Sequence, residues 1–368
     1  MMTARGARLA AALALLFVAG RADAFTYVSQ DLLGTDSVSY MIGYGTGPTG
    51  PTTFGIDTDF VVTVGIDPTS MFATDIETSV INVVDTFNDL DPTVGNLDFG
   101  TIDTNQVDFE SVLLHEMGHS LGLGHVNLAS ESGFTDQRAN FTDSEPGADG
   151  VLTLNPGADN VIGSGDDVRG DDLNHNYFRI GSNDPFDTNL PNVIDSSTYT
   201  RSFVDGSGAS TLPSGDLYSA NPDRAVAGVL GYSATEGVMQ QGSFFGEVQR
   251  TLSADDVAGI RYAQSGFDHQ QGTADDYVFT LQYVGFVDNA DITIDFDDTE
   301  TGFAVAQTSF NIFGGDAFLT DADIFFNTGF NWAFTESPVA VPLPASVLML
   351  LGGLGAMSAF RRSARVSG

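Results

Sequence analysis

The stretch that most restricts this chain is H-E-M-G-H-S-L-G-L-G-H, from His115 to His125. An α-helix turns about 100° per residue, so His115 and His119, four apart, return to nearly one face and can hold one metal ion together. Glu116 stands one step round from them. His125 reaches the same point only if the helix stops and the chain reverses. Gly122 suits that reversal, because a helix end can require φ > 0, where only glycine goes cheaply, and Gly124 loosens the same turn. Three imidazoles with an open fourth position are the donor set of a catalytic rather than a structural zinc site. A buried helix with merely satisfied histidines is the plainer alternative. The third histidine after G-x-x, with an acid beside the first, argues against it.

His115, Glu116, His119, Gly122 and His125 fit the H-E-x-x-H-x-x-G-x-x-H pattern, and the segment resembles the metzincin zinc peptidases. With Leu121, Leu123 and Gly124 in place it is most similar to the matrixin branch. The resemblance implies an α+β, metzincin-like catalytic domain: a mixed twisted sheet, a zinc helix, a Met-turn beneath the site and a C-terminal helix. It also implies one zinc on His115, His119 and His125, and peptide hydrolysis by zinc-activated water with Glu116 as general base. Met239, in E-G-V-M-Q-Q-G, is the candidate Met-turn. L-S-A-D-D-V-A-G-I-R looks like the last helix of a matrixin domain, with Ser253 at N-cap and Asp256 at N3 as a capping box. Two positions depart from the family pattern. Val126 follows the third histidine where matrixins usually carry a small hydroxyl residue, and Gln241 stands where some metzincins place a zinc-ligating Tyr. Three protein ligands and water are therefore expected.

The chain has no Cys, which excludes disulfides, thiolate metal sites, a cysteine nucleophile and a cysteine-switch prosegment. Its net charge is −36. The two ends carry Arg5, Arg8, Arg21, Arg361, Arg362 and Arg365 against the single acid Asp23, so the body between them is more acidic still. Such a body repels nucleic acid and anionic lipid and favours cation binding. With 42% hydrophobic residues and 28 Phe it can still bury a substantial core.

Residues 1–24 read as a secretory signal: Arg5 and Arg8 precede an apolar run from Leu9 to Ala19, and Ala22-Asp23-Ala24 is an A-x-A cleavage site before Phe25. The metallopeptidase domain that the resemblance implies is expected over 25–264. Strands are expected from Ser37 to Tyr44 and from Thr58 to Ile66. Ile76, Val80, Val83, Val84 and Phe87 fall at helical spacing and predict a helix over Thr74 to Leu90. Leu97 to Ile102 is a short strand, expected to align a substrate by edge pairing, and Asp108 is the N-cap of the histidine helix. An insertion occupies about 126–222. Within it Pro-Gly-Ala-Asp recurs at 146–149 and 156–159, and Asp149, Asp159, Asp166, Asp167, Asp171 and Asp172 gather on Gly-rich loops suited to Ca²⁺. A solvated acidic loop is the alternative, and no complete EF-hand spacing is present. His175 and His269 read as exposed surface residues.

From 265 to 338 the pattern is β-rich. Tyr277, Phe279, Leu281 and Tyr283 alternate with other residues, as do Ala290, Ile292, Ile294 and Phe296. This accessory region suits a small β-sandwich or extra strands packed on the catalytic domain. The segment 341–368 opens with V-P-L-P-A, continues apolar to Phe360 and ends in Arg361, Arg362 and Arg365. It resembles the PEP-CTERM class of bacterial sorting signals, with Leu343 in place of the Glu that names the class. The resemblance implies an exosortase-like processing partner, transient membrane association and a place at the bacterial surface or outside the cell. An apolar stretch of this length, at 1.5 Å per residue, falls short of the ~30 Å hydrocarbon core.

The leading reading is an exported zinc metalloendopeptidase acting on protein or peptide. Two others use the same residues: a non-catalytic biofilm or surface protein on a metzincin scaffold, and a zinc hydrolase of a non-peptide bond. A scaffold needs the histidines at most and gains nothing from Glu116.

Overall fold

The computed structural model describes residues 25–29, 38–41, 43–44, 58–125, 177–179, 217–219, 231–240, 243–297 and 302–335, with Phe186, Thr188, Pro222, Arg224, Ala227 and Gly228. In chain order the elements are β1 (Thr26–Tyr27), β2 (Ser39–Tyr40), β3 (Thr58–Ile66), α1 (Ala73–Asp89), β4 (Asp98–Phe99), β5 (Val107–Asp108), α2 (Phe109–Ser120) and β6 (Leu123–Gly124). They continue with β7 (Tyr177–Arg179), β8 (Leu217–Ser219), β9 (Glu247–Val248), α3 (Ala254–Gln264), β10 (Tyr277–Phe286), β11 (Ile292–Phe296), β12 (Ala304–Phe313), β13 (Asp316–Phe326) and β14 (Trp332–Ala333). Among the described residues no helix is long and apolar enough to cross a membrane. All of these elements lie in a unit ending at Thr335; the unit Glu336–Gly368 lies outside the described residues.

The central sheet runs β10-β3-β11-β13-β12, with β2 also pairing β13. Strands β10 and β11 flank β3 in parallel, β13 is parallel to β11, and β12 closes the series antiparallel to β13. The sheet is half-covered, and its residues say why. Val62, Val64 and Ile66 of β3 are fully buried, while Val61 just before them is exposed and Thr63 between the first two is half-buried, the period of two that one packed face requires. The same alternation buries Tyr277, Phe279 and Leu281 of β10. Helix α1 packs on β3 and β10, and α2 on β12 and β13. Helix α1 buries Ile76, Val80, Val83, Val84 and Phe87, the stripe read from their spacing, one residue offset from the expected ends.

Among the described residues the β-rich stretch from 265 forms no separate sheet. Its strands β10, β11, β12 and β13 join β3 to make the sheet on which both α1 and α2 lie. The reason is visible at Phe109, the first residue of α2. Its fully buried ring packs on Phe296, Phe326, Trp332 and Phe334, at centroid separations from 4.5 to 6.0 Å. Burying a side chain of this kind is worth about 1.5–3 kcal/mol, so the C-terminal aromatics are core to the histidine helix rather than cover for a second domain. The expected strand over Leu97 to Ile102 contracts to β4, which pairs with β9 away from the central sheet. It does not border the histidines, so it does not fill the substrate-aligning role expected of Leu97 to Ile102.

Candidate metal centre

Helix α2 starts where its cap dictates. Asp108 is extended at φ −76°, ψ 113°, and its carboxylate accepts from the Ser111 amide. Arg250 donates to both oxygens of the same carboxylate, so the cap charge is matched as well as bonded. The helix ends after Ser120. The Leu121 amide bonds Met117 O, the Gly122 amide bonds His119 O, and Gly122 turns the chain at φ +98°. A Cβ there would also lie 2.7 Å from Ser39 Cβ, so the position requires glycine on two counts. Gly124 does not loosen this turn: it is paired with Thr26 in the short ladder of β6 with β1. That ladder delivers His125.

The three Nε2 atoms converge, 3.0 Å apart for His115 and His125 and 3.1 Å for the other two pairs. His115 Nδ1 donates to Val238 O at 2.7 Å and His119 Nδ1 to Leu123 O at 2.8 Å. These bonds place the ring protons on Nδ1 and leave the Nε2 lone pairs facing inward. Burial and the neighbouring imidazoles hold His119 down to about 3 and His125 well below the usual range, and burial lowers His115. At neutral pH this is a cluster of inward-facing acceptors with no proton to share, which a cation satisfies. Zinc bonds of 2.0–2.1 Å in a tetrahedron separate two nitrogens by about 3.3 Å, close to the spacing found. Among the described residues these three form the group of side chains able to hold a metal ion.

Glu116 is 93% buried beside them, at 7% exposure. Burial pushes its carboxyl up to about 8, against a hydrogen bond from the Ala306 backbone that lowers it. Met239 lies under the helix: a Cβ added to Gly118 would fall 2.3 Å from its Sδ. Asp256, the N3 residue of the Ser253 capping box on α3, accepts from the amides of Val238 and Met239 at 2.9 and 3.1 Å. One carboxylate therefore fixes both the methionine beneath the helix and the carbonyl that orients His115. The capping box is legible in sequence; this second use of Asp256 is not.

The cleft over the histidines is about 400 Å³, lined by Val28, Gly124, Ala304, Val305, Ala306, Thr308 and Phe310 beside His115, Glu116, His119 and His125. Its far wall is β12, which the sequence reading did not single out within the β-rich stretch from 265 to 338. Among the described residues β12 pairs on one side alone, with β13. The carboxylates read as calcium ligands, Asp149, Asp159, Asp166, Asp167, Asp171 and Asp172, lie outside the described residues, as do Val126, His175 and Gln241. His269 is not an exposed surface residue: half-buried, it stacks on Tyr262 at 4.4 Å and 6° and lies against Tyr40.

No curated protein and no solved structure matches this chain. The model of the matrixin peptidase family matches residues 13–132, a stretch that takes in α1, α2 and all three histidines, and over it the chain is matrixin-like.

Proposed function

We propose that the chain is an exported zinc-dependent metalloendopeptidase. The observation that carries this reading is the convergence of three Nε2 lone pairs beside a buried carboxylate, in a cleft whose opposite wall is a strand with one edge unpaired among the described residues. His115, His119 and His125 would hold the ion, which when bound supplies a Lewis acid for the scissile carbonyl and for the attacking water. The raised Glu116 carboxyl would be lowered to a carboxylate by the ion's charge, and it takes that water's proton and delivers it to the leaving amine nitrogen. The Ala306 amide steadies Glu116 from the substrate side. An extended peptide can add to the free edge of β12 from Ala304 to Phe310, its backbone bonded to the strand and its scissile bond set opposite Glu116. This is the aligning role that β4 does not fill. Met239 is the turn that supports the metal helix from below.

The matrixin match supports the reading, since a peptidase acts on protein or peptide. Removal of residues 1–24 and processing near Pro344 by an exosortase-like enzyme belong to the same proposal, and intact-mass measurement on the mature protein tests them. The catalytic claim is tested with Glu116→Gln. The amide keeps size and can still bond water but cannot take its proton. Zinc content should stay at one equivalent while peptide cleavage falls about 10²- to 10⁴-fold. Equal cleavage by the two proteins would remove Glu116 from the mechanism, and zinc binding without cleavage in either would favour a scaffold.

A further inference from the structure

An aromatic band runs across the surface into the start of β12. Phe99, Phe244 and Phe245 are 59%, 42% and 50% exposed, which is costly for three large apolar side chains in one neighbourhood and marks a surface with an occupant. They are held in place rather than loose. The Arg224 guanidinium lies 5.9 Å from the Phe99 ring and 5.2 Å from the Phe244 ring, while its donors are taken by the buried carboxylates of Glu236 and Glu247. The cation is thus spent on two anions, and the band offers an apolar face rather than a charged one. Phe245 meets Phe303 edge to face at 5.5 Å, and Phe303 is backed in turn by Phe330 at 4.6 Å and Trp332 at 6.2 Å.

The band is continuous with the cleft. Phe303 directly precedes Ala304 and Val305, both of which line it. Ala306, whose backbone bonds Glu116, is three residues further on. At about 3.4 Å per residue, Phe303 lies about 10 Å along the strand from the point opposite Glu116. A peptide laid on β12 in register therefore brings to Phe245 and Phe303 the side chain about three residues from the bond opposite Glu116. We infer that Phe245 and Phe303 are specificity-determining residues, and that the substrate is an extended peptide carrying an aromatic or large aliphatic side chain about three residues to one side of the cleaved bond. This rests on the peptidase reading for the cut, but not for the binding.

Two quenched peptides, identical except for Phe or Ser at the third position on each side in turn, test it. Burial of one such ring corresponds to about 10- to 100-fold in kcat/KM, so the wild type should prefer the Phe peptide by that order on one side only. Phe245→Ser should erase the preference, chiefly by raising KM on the Phe peptide, with zinc content held at one equivalent. Met71→Ser, which removes a more exposed apolar side chain from outside the cleft lining, should keep it. Binding is read separately in zinc-loaded Glu116→Gln protein. Trp332, the single tryptophan, sits behind Phe303, so its emission should shift on titration with the Phe peptide and not with the Ser peptide. Cleavage with no preference at these positions, or a preference that survives Phe245→Ser, overturns the inference. Absence of cleavage with a Trp332 response removes the peptidase reading and upholds the binding surface; absence of both overturns the inference.

Discussion

The two walls of the cleft are built in opposite ways. One is a single run of chain, His115 to His125, in which a helix, its terminal glycine turn and a two-residue strand aim three imidazoles at one point. The other is β12, which reaches the site through its ladder with β13 and is flanked by aromatics from the segment before α3 and from the residue preceding the strand. The first wall takes all its donors from that one short run, with Thr26 and Val238 steadying it from elsewhere in the chain, and it carries the chemistry. The second requires a folded sheet, and it carries the surface that a substrate would touch. A site divided in this way can keep its chemistry while its selectivity changes, because alterations at Phe245 or Phe303 leave the histidine turn intact.

The largest expected effect breaks the first wall. His119→Ala removes one of three ligands from a cluster with no fourth protein donor among the described residues. Zinc should fall from one equivalent to near none, and cleavage should drop further than with Glu116→Gln. Full zinc retention by metal analysis would show that the imidazoles do not form the site.

A smaller effect probes the join between α2 and the turn beneath it. Glycine to alanine inside an open helix stabilises by about 1 kcal/mol, yet a Cβ at Gly118 meets Met239 Sδ, and Met239 is buried with its backbone pinned by Asp256. Overpacking costs about 1–3 kcal/mol, so Gly118→Ala should be destabilising by about 1 kcal/mol net. In a Met239→Ala background the same change should become stabilising. A single variant that melts above wild type would place the methionine elsewhere.

The smallest effect concerns the sheet. Burial and the nearby Asp291 raise the carboxyl of Asp321, on β13, above its ordinary value of 3.8. The native state then holds this proton over a pH range where the unfolded chain has released it, so stability falls as pH rises from about 4 through the raised value. Asp321→Asn removes that fall. Melting temperatures of the two proteins should coincide below about pH 4 and separate above it, the variant higher; the reverse order at neutral pH would show that Asp321 has a stabilising partner.

Much of the first wall and of the helices around it is readable because the signals are local. Periodicity places α1 within a residue of its observed ends, Asp108 caps α2 as its position suggests, and Ser253 with Asp256 forms the box their spacing implies. The misreadings share a cause. Leu97 to Ile102 has strand composition but becomes the two-residue β4, because its partner is β9 rather than the central sheet. Gly124 has the composition of a turn but is claimed by Thr26. His269 reads as a lone surface residue until Tyr262 and Tyr40 come beside it.

What the sequence by itself determined is the donor set and its approach: the identity and spacing of His115, Glu116, His119 and His125, the turn at Gly122, and which residues of each strand and helix share a face. Those follow from the 3.6 and 2.0 periods of the backbone and from the φ that only glycine accepts cheaply. Only the tertiary structure decided that β3 lies between β10 and β11, that β12 rather than β4 faces the histidines, and that Asp256 pins the backbone of Val238 and Met239 beneath the helix. A strand's alternation states which side it buries but not beside which strand. That choice is settled by packing the whole apolar surface at once, here around Phe109, Phe296, Phe326 and Trp332, where the histidine helix and the C-terminal strands share one core.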